Sequence, residues 1–152
     1  MAVKEIVKGL SFFNNMSDDD FDLLIDHAEI KKVPAGTLLL KEGEKSRDVY
    51  FLVNGRIEIT MKAGTDETEE VHIYRLKPGE TVGEFSFIDG LPRSASALVD
   101  MESVILKFDY AKLHNLFEKN PRLGYIFIKK ISRLLTDRIR SANISHRNLF
   151  IW

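Results

Sequence analysis

The chain has 152 residues, the size of one ordinary domain, and 44% of them are hydrophobic, enough for a core. Its 23 acids stand against 22 Lys plus Arg, a formal net charge of -1, so bulk charge asks for neither nucleic acid nor an anionic membrane. Cysteine is absent, which removes disulfides and thiol chemistry. The front, residues 4–30, reads as helical. A short apolar turn holds Leu10, Phe12 and Phe13, and the Phe pair is expected in the core. Ser17 is placed as an N-cap, with Asp20 as a short stand-in for the capping-box acid. Phe21, Leu24, Ile25 and Ala28 then recur at helical spacing until Pro34 and Gly36 stop the pattern.

From about residue 37 the period changes to two. TLLLK, DVYFLV, RIEITM, EVHIYRL and SVILKF are rich in β-branched and aromatic residues. Turn signals separate them: EGE at 42–44, Asn54-Gly55, AGTDETEE at 63–70, KPGE at 77–80, DGLP at 89–92 and DMES at 100–103. Asn54-Gly55 between apolar runs predicts a hairpin. The spacing predicts an eight-stranded antiparallel β-roll of jelly-roll type over 35–109, mainly β with flanking helices. Two helices follow over 110–142. The first carries Tyr110, Leu113, Leu116 and Phe117, and Pro121 opens the second. That one presents Leu123, Ile126, Phe127, Ile131, Leu134, Leu135 and Ile139 as a wide apolar stripe over about 20 residues. An apolar tail, 147–152, ends in Phe150, Ile151 and Trp152. The whole of 1–152 is read as one domain.

No run approaches the ~20 apolar residues of a spanning helix. The opening MAVKEIVKGL has no long apolar stretch after its lysines, so no signal peptide and a cytoplasmic location are expected. Acids cluster early (Asp18, Asp19, Asp20, Asp22, Asp26, Glu29) and bases late (Arg122, Lys129, Lys130, Arg133, Arg138, Arg140). That split fits solvated helix faces, or packing between the ends or between subunits. His27, His72, His114 and His146 lack metal-ligand spacing, and there is no Walker loop or Gly-x-Ser-x-Gly elbow, so neither metal nor catalysis is expected.

The chemistry concentrates in VGEFSFIDGLPRSASA, residues 82–97. Arg93 offers a fixed charge and a fork of donors that matches phosphate oxygens. Gly83 lets backbone come close to a ligand, and the amides near Ser94 and Ala95 could form a nest for negative charge. Glu84 suits sugar hydroxyls, because a carboxylate accepts their hydrogen bonds. Two readings follow from these residues: a sugar-phosphate cradle, or a Glu84–Arg93 ion pair that fastens a loop to the sheet.

The stretch resembles the phosphate-binding cassette of cyclic nucleotide-binding domains, the family of the catabolite activator protein and the protein kinase A regulatory subunit. The resemblance rests on Asn54-Gly55 after YFLV, the KPGE turn, Gly83-Glu84, and Pro92-Arg93-Ser94-Ala95, and it covers most of the chain. It implies that Arg93 pairs with the cyclic phosphate and Glu84 takes the ribose 2′-hydroxyl. Backbone groups near Gly83, Phe85, Ser94 and Ala95 would complete the pocket, with Ser86 in a short helix that covers it. Cyclic AMP is the favoured ligand and cyclic GMP the second choice, with no other cofactor.

The resemblance implies a regulatory sensor, not an enzyme, whose C-terminal helices respond to ligand. The alternative is an interaction module that keeps the fold without physiological nucleotide binding. The chain leaves no room for the activator's DNA-reading element, so no direct DNA binding is expected, and the effector protein is unnamed. Alignment through Asn120-Pro121 puts Arg138 and Ile139 where the activator contacts adenine through a threonine-serine pair. Arg138, Phe150 and Trp152 are the candidate base contacts, the last two if the tail folds back over the roll. The other reading of the tail is a patch on exposed apolar surface. Residues 121–140 are the candidate homodimer surface.

Overall fold

The front of the chain winds where its capping residues predict. In the computed structural model, which describes residues 2–66 and 68–145, α1 spans Val3–Lys8, a 3-10 turn Ser11–Phe13 and α2 Asp18–Asp26. Ser17 Oγ accepts the Asp20 amide at 3.2 Å and so caps α2. The acids of α2 meet lysines of α1: Lys4 lies 2.9 Å from Asp22 and Lys8 2.6 Å from Asp18. The chain forms two units, Met1–His114 and Asn115–Trp152.

The first unit is built on a six-stranded antiparallel sheet of order β1-β6-β3-β4. Its strands are β1 (Ala28–Val33), β2 (Leu38–Leu40), β3 (Val49–Ala63), β4 (Glu69–Leu76), β5 (Thr81–Val82) and β6 (Ser96–Phe108). β2 lies against β6 and β5 against β3. A short helix, α3 (Glu84–Asp89), joins β5 to the loop before β6. Inside the roll, Val33, Leu40, Leu52, Ile57, Leu76, Ala97, Val99 and Ile105 form an aliphatic core. A second, aromatic core ties the front to the sheet. Phe12 lies 4.6 Å from Phe51, Phe13 5.4 Å from Phe21, and Phe51 5.6 Å from Phe108, between ring centroids.

The expected β-roll with flanking helices is present, but six strands replace eight, because two expected turns are strand interior. β3 runs through Asn54-Gly55, and β6 runs through 100–103. At Gly55 the chain bulges where a hairpin was expected. The β3–β6 register slips between Leu52 and Asn54 and again around Arg56. Gly55 has φ 113°, and a Cβ there would lie 2.1 Å from Ser103 Oγ. Ser103 Oγ accepts the Arg56 amide at 3.0 Å and donates to the Met101 carbonyl at 2.7 Å, so the two strands bend together. The helical front also ends earlier than residue 30. α2 stops at Asp26, and Ala28–Val33 pairs with β6 from Ala28 opposite Phe108 to Val33 opposite Ser103. The β-ladder claims backbone groups that the local period had assigned to a helix. The EGE turn is present, with the Glu44 amide donating to the Lys41 carbonyl at 3.1 Å.

α4 spans Tyr110–Lys119 and crosses into the second unit, which holds α5, Pro121–Ser145. Asn120 Oδ1 accepts the Leu123 amide at 3.2 Å, an N-cap directly before the proline. Phe117 and Phe127 pack at 5.3 Å, and Gly124 lets the two helices meet, since a Cβ there would lie 2.9 Å from Phe117 Cβ. α5 has 25 residues, longer than expected. Its apolar stripe divides: Leu123, Phe127 and Ile131 are buried, whereas Ile139 is 61% exposed, with Tyr125 at 65% and Ile128 also outward. Among the described residues no helix is long and apolar enough to cross a membrane. Phe150, Trp152 and the rest of the apolar tail lie outside the described residues.

Candidate functional site

Gly83 begins the site. It ends β5 and caps α3 with φ 93°, a conformation that favours glycine. A Cβ at this position would fall 2.6 Å from the Asp48 carbonyl oxygen and 2.8 Å from Arg93 Nη1. The missing side chain is what lets Arg93 approach. Glu84 follows as the first residue of α3, 4% exposed, and its Oε2 accepts Thr81 Oγ1 at 3.3 Å. Ser86 is buried on the same helix, while the Phe85 ring is 53% exposed, so a role for Phe85 falls to its backbone.

Arg93 is 4% exposed. Its Nε donates to Ser46 Oγ at 2.9 Å, Nη1 to the Gly83 carbonyl at 2.9 Å, and Nη2 to the Asp48 carbonyl at 2.7 Å. Its backbone is held as well: its amide donates to the Glu44 carbonyl and its carbonyl accepts the Gly43 amide, both at 2.8 Å. The expected alternative, an Arg93–Glu84 ion pair as the fastening of the loop, is not how the guanidinium is spent. It fastens the loop through neutral acceptors. Burial pushes its pKa down, and the nearby Tyr50, Asp48, Glu44 and Glu84 pull it back up. An arginine stays protonated regardless. The result is a buried cation whose three hydrogen bonds go to neutral oxygens, with two of its five N–H groups left over among the described residues.

Beside it the chain supplies further donors. Ser94 is exposed and Ala95 half-buried. Their amides meet no backbone or side-chain acceptor among the described residues. Two free amides next to a buried guanidinium suit an anion. The small residues continue into β6, where Ala97 stands opposite Ile59, and Ile59 opposite Tyr74 on β4. Ile59 and Met61 alternate on β3 onto the face of Ala97, and their partners on β4, Tyr74 and Val71, share that face because the β3–β4 register slips between Ile59 and Thr60. Tyr74 is 45% exposed, and Met61 and Val71 are also partly open. This gives an apolar wall next to the anion donors. A cleft of about 430 Å³ lies elsewhere, on the face with Thr60, His72 and Leu98, and holds none of the candidate residues.

The structure therefore brings Gly83, Glu84, Ser86, Arg93, Ser94 and Ala95 into one region, through α3 and the loop before β6. Arg138 lies half-buried on α5, in the second unit, and Phe150 and Trp152 are outside the described residues. The residues that hold Arg93 went unread in the sequence: Glu44, Ser46 and Asp48, together with Ile59 and Tyr74 on the wall. Only the EKSRD run before β3 hints at the first three, and its spacing carries no motif.

Comparison with known proteins gives the same direction. The model of a family described as "Cyclic nucleotide-binding domain" matches residues 30–120. The cAMP-activated global transcriptional regulator CRP of Salmonella typhimurium is 27% identical over 134 residues, 88% of this chain and 61% of that protein. The chain thus spans about three fifths of the length of such curated relatives. A cyclic nucleotide-binding domain from Methylobacillus flagellatus superposes with a TM-score of 0.82 and 23% identity, over 99% of this chain and 83% of that one. The regulatory domain of Toxoplasma gondii PKA, crystallised with cAMP, superposes with a TM-score of 0.64 and 20% identity, over 74% of this chain and 42% of that one.

Proposed function

This chain belongs to the cyclic nucleotide-binding domain family, and on that premise we propose that it binds a 3′,5′-cyclic nucleotide, cyclic AMP by preference. One observation carries the reading: among the described residues, Arg93 is a buried guanidinium bonded only to neutral oxygens, beside two amides without acceptors. A cyclic phosphate supplies the missing negative charge. Glu84, buried at the start of α3, accepts from the ribose 2′-hydroxyl, and the purine lies along the wall of Ile59 and Tyr74. Arg138, Phe150 and Trp152 remain the candidate base contacts. The named ligands of the relatives, cAMP in CRP and in the Toxoplasma regulatory domain, support cyclic AMP over cyclic GMP.

The domain acts as a cytoplasmic, non-catalytic sensor whose C-terminal helices respond to ligand and pass the signal to an effector protein. It pairs with a second copy through residues 121–140, a reading supported by the outward Tyr125, Ile128 and Ile139 of α5. Isothermal titration with cyclic AMP and cyclic GMP tests the function. Saturable 1:1 heat with cyclic AMP, weaker with cyclic GMP, is expected. No heat with either nucleotide overturns it and leaves the interaction module.

A further inference from the structure

Arg47 has no part in the site so far, yet it is tied at three points. Its Nε donates to the Ser86 carbonyl at 3.1 Å and its Nη2 to the Phe87 carbonyl at 2.9 Å. Both carbonyls belong to α3 near its C-terminal end, where backbone acceptors outnumber the amides that can reach them; the Ser86 carbonyl also accepts the Gly90 amide at 2.9 Å. The guanidinium carbon also lies 3.8 Å from the centroid of the Tyr110 ring, in the first turn of α4, a cation–π contact. The Phe87 ring meets the same tyrosine edge-on at 5.6 Å. Next in sequence, Asp48 accepts the Tyr110 amide at 2.8 Å through Oδ1. Gly90, which ends α3 at φ 71°, makes room: a Cβ there would lie 3.3 Å from Arg47 Nη1.

The six-residue α3 is therefore pinned at both ends by arginines from outside it. Arg93 holds the Gly83 carbonyl at one end, and Arg47 holds Ser86 and Phe87 toward the other. A short rigid segment held at one end by a glycine can pivot, whereas held at both ends it cannot. We propose that Arg47 is a positioning residue: by clasping α3 to the first turn of α4 it fixes the direction in which Glu84 points, and so sets recognition of the ribose hydroxyl. The last step rests on the nucleotide reading above. The clasp itself does not. Lysine is a poor replacement: its ammonium carries donors for carbonyls but has no planar face to lie over the tyrosine ring at the same time.

The test compares the parent with Arg47→Ala and Arg47→Lys in two measurements. The first is the calorimetric affinity for cyclic AMP and for its 2′-deoxy analogue. The parent should prefer cyclic AMP about tenfold or more, the worth of one hydrogen bond to a charged group. Both variants should shrink that preference several-fold while their affinity for the 2′-deoxy analogue stays close to the parent's. The second is amide hydrogen exchange without nucleotide, at Gly90 and Tyr110, which should quicken together in both variants. An unchanged preference overturns the positioning of Glu84, and unchanged exchange overturns the clasp. A parent that binds neither nucleotide, with exchange still quickened, removes the nucleotide reading and leaves the clasp standing. Arg47→Lys keeps the charge and most of the stem, so it answers both questions if the alanine variant does not fold.

Discussion

Arg93 and Gly83 occupy one another's space: Nη1 donates to the Gly83 carbonyl at 2.9 Å, and a Cβ on Gly83 would stand 2.8 Å from that nitrogen. Neither residue keeps its place if the other changes. Gly83→Ala must adopt a left-handed backbone at about 1–3 kcal/mol and push the guanidinium or the Asp48 carbonyl aside. The expected outcome is a lower melting temperature together with weaker cyclic AMP binding. A variant with the parent's melt and affinity would show that the close approach is not needed.

Removing Arg93 separates binding from folding. Arg93→Ala deletes the proposed partner of the phosphate and should cost about 2–5 kcal/mol of nucleotide affinity in titration calorimetry. It also takes the guanidinium donors from the carbonyls of Asp48 and Gly83, of which Gly83 keeps the Phe87 amide, so some stability is lost. Arg93→Lys keeps the charge but not the fork, and should recover part of the affinity. Glu84→Gln should cost less than Arg93→Ala, because its proposed partners are neutral hydroxyls. If Arg93→Ala binds cyclic AMP as the parent does, the site assignment is wrong.

Binding should be flat with pH across the neutral range. Burial lowers the Arg93 pKa, so any loss of its charge would come on the alkaline side, but arginine does not deprotonate in proteins. Titrations at several pH values check this. A titration of affinity near neutrality would point to a histidine in the site and away from Arg93 as the charge partner.

The bend in β3 and β6 depends on Gly55 against Ser103. Gly55→Ala places a Cβ 2.1 Å from Ser103 Oγ at φ 113°, so it should destabilise by about 3 kcal/mol or more in urea unfolding. Ser103→Ala removes one hydroxyl and should cost about 1 kcal/mol or more, since the half-buried Arg56 amide loses its acceptor. Equal and small effects from both changes would mean that the strands bend for another reason.

Light scattering over a concentration series, with and without cyclic AMP, decides the proposed dimer. Ile139→Asp removes an outward apolar side chain of α5 without touching the buried Leu123, Phe127 and Ile131. It should shift a dimeric parent toward monomer. A parent that is monomeric throughout removes the dimer reading.

The sequence by itself determined the elements that need only local chemistry. Ser17 capping α2, Pro121 opening α5, the period-two runs of the roll and the core position of Phe12 and Phe13 are all written in residue type and spacing. The candidate site was legible as a cluster for a similar reason. Gly83, Glu84, Arg93, Ser94 and Ala95 fall within thirteen residues, and their chemistry is unusual enough to be noticed. Tertiary structure decided the rest, wherever one local signal permits two outcomes. Asn54-Gly55 supplies a positive φ that serves a hairpin or a bulge, and Ser103 across the sheet selects the bulge. Ala28–Val33 could close a helix or open a sheet, and the free edge of β6 takes it. Two of the three acceptors that hold the Arg93 guanidinium come from Ser46 and Asp48, more than forty residues earlier. No periodicity couples positions that far apart. What joins them is the need of a buried charge for oxygen partners, and that need arises only once the fold has taken the water away.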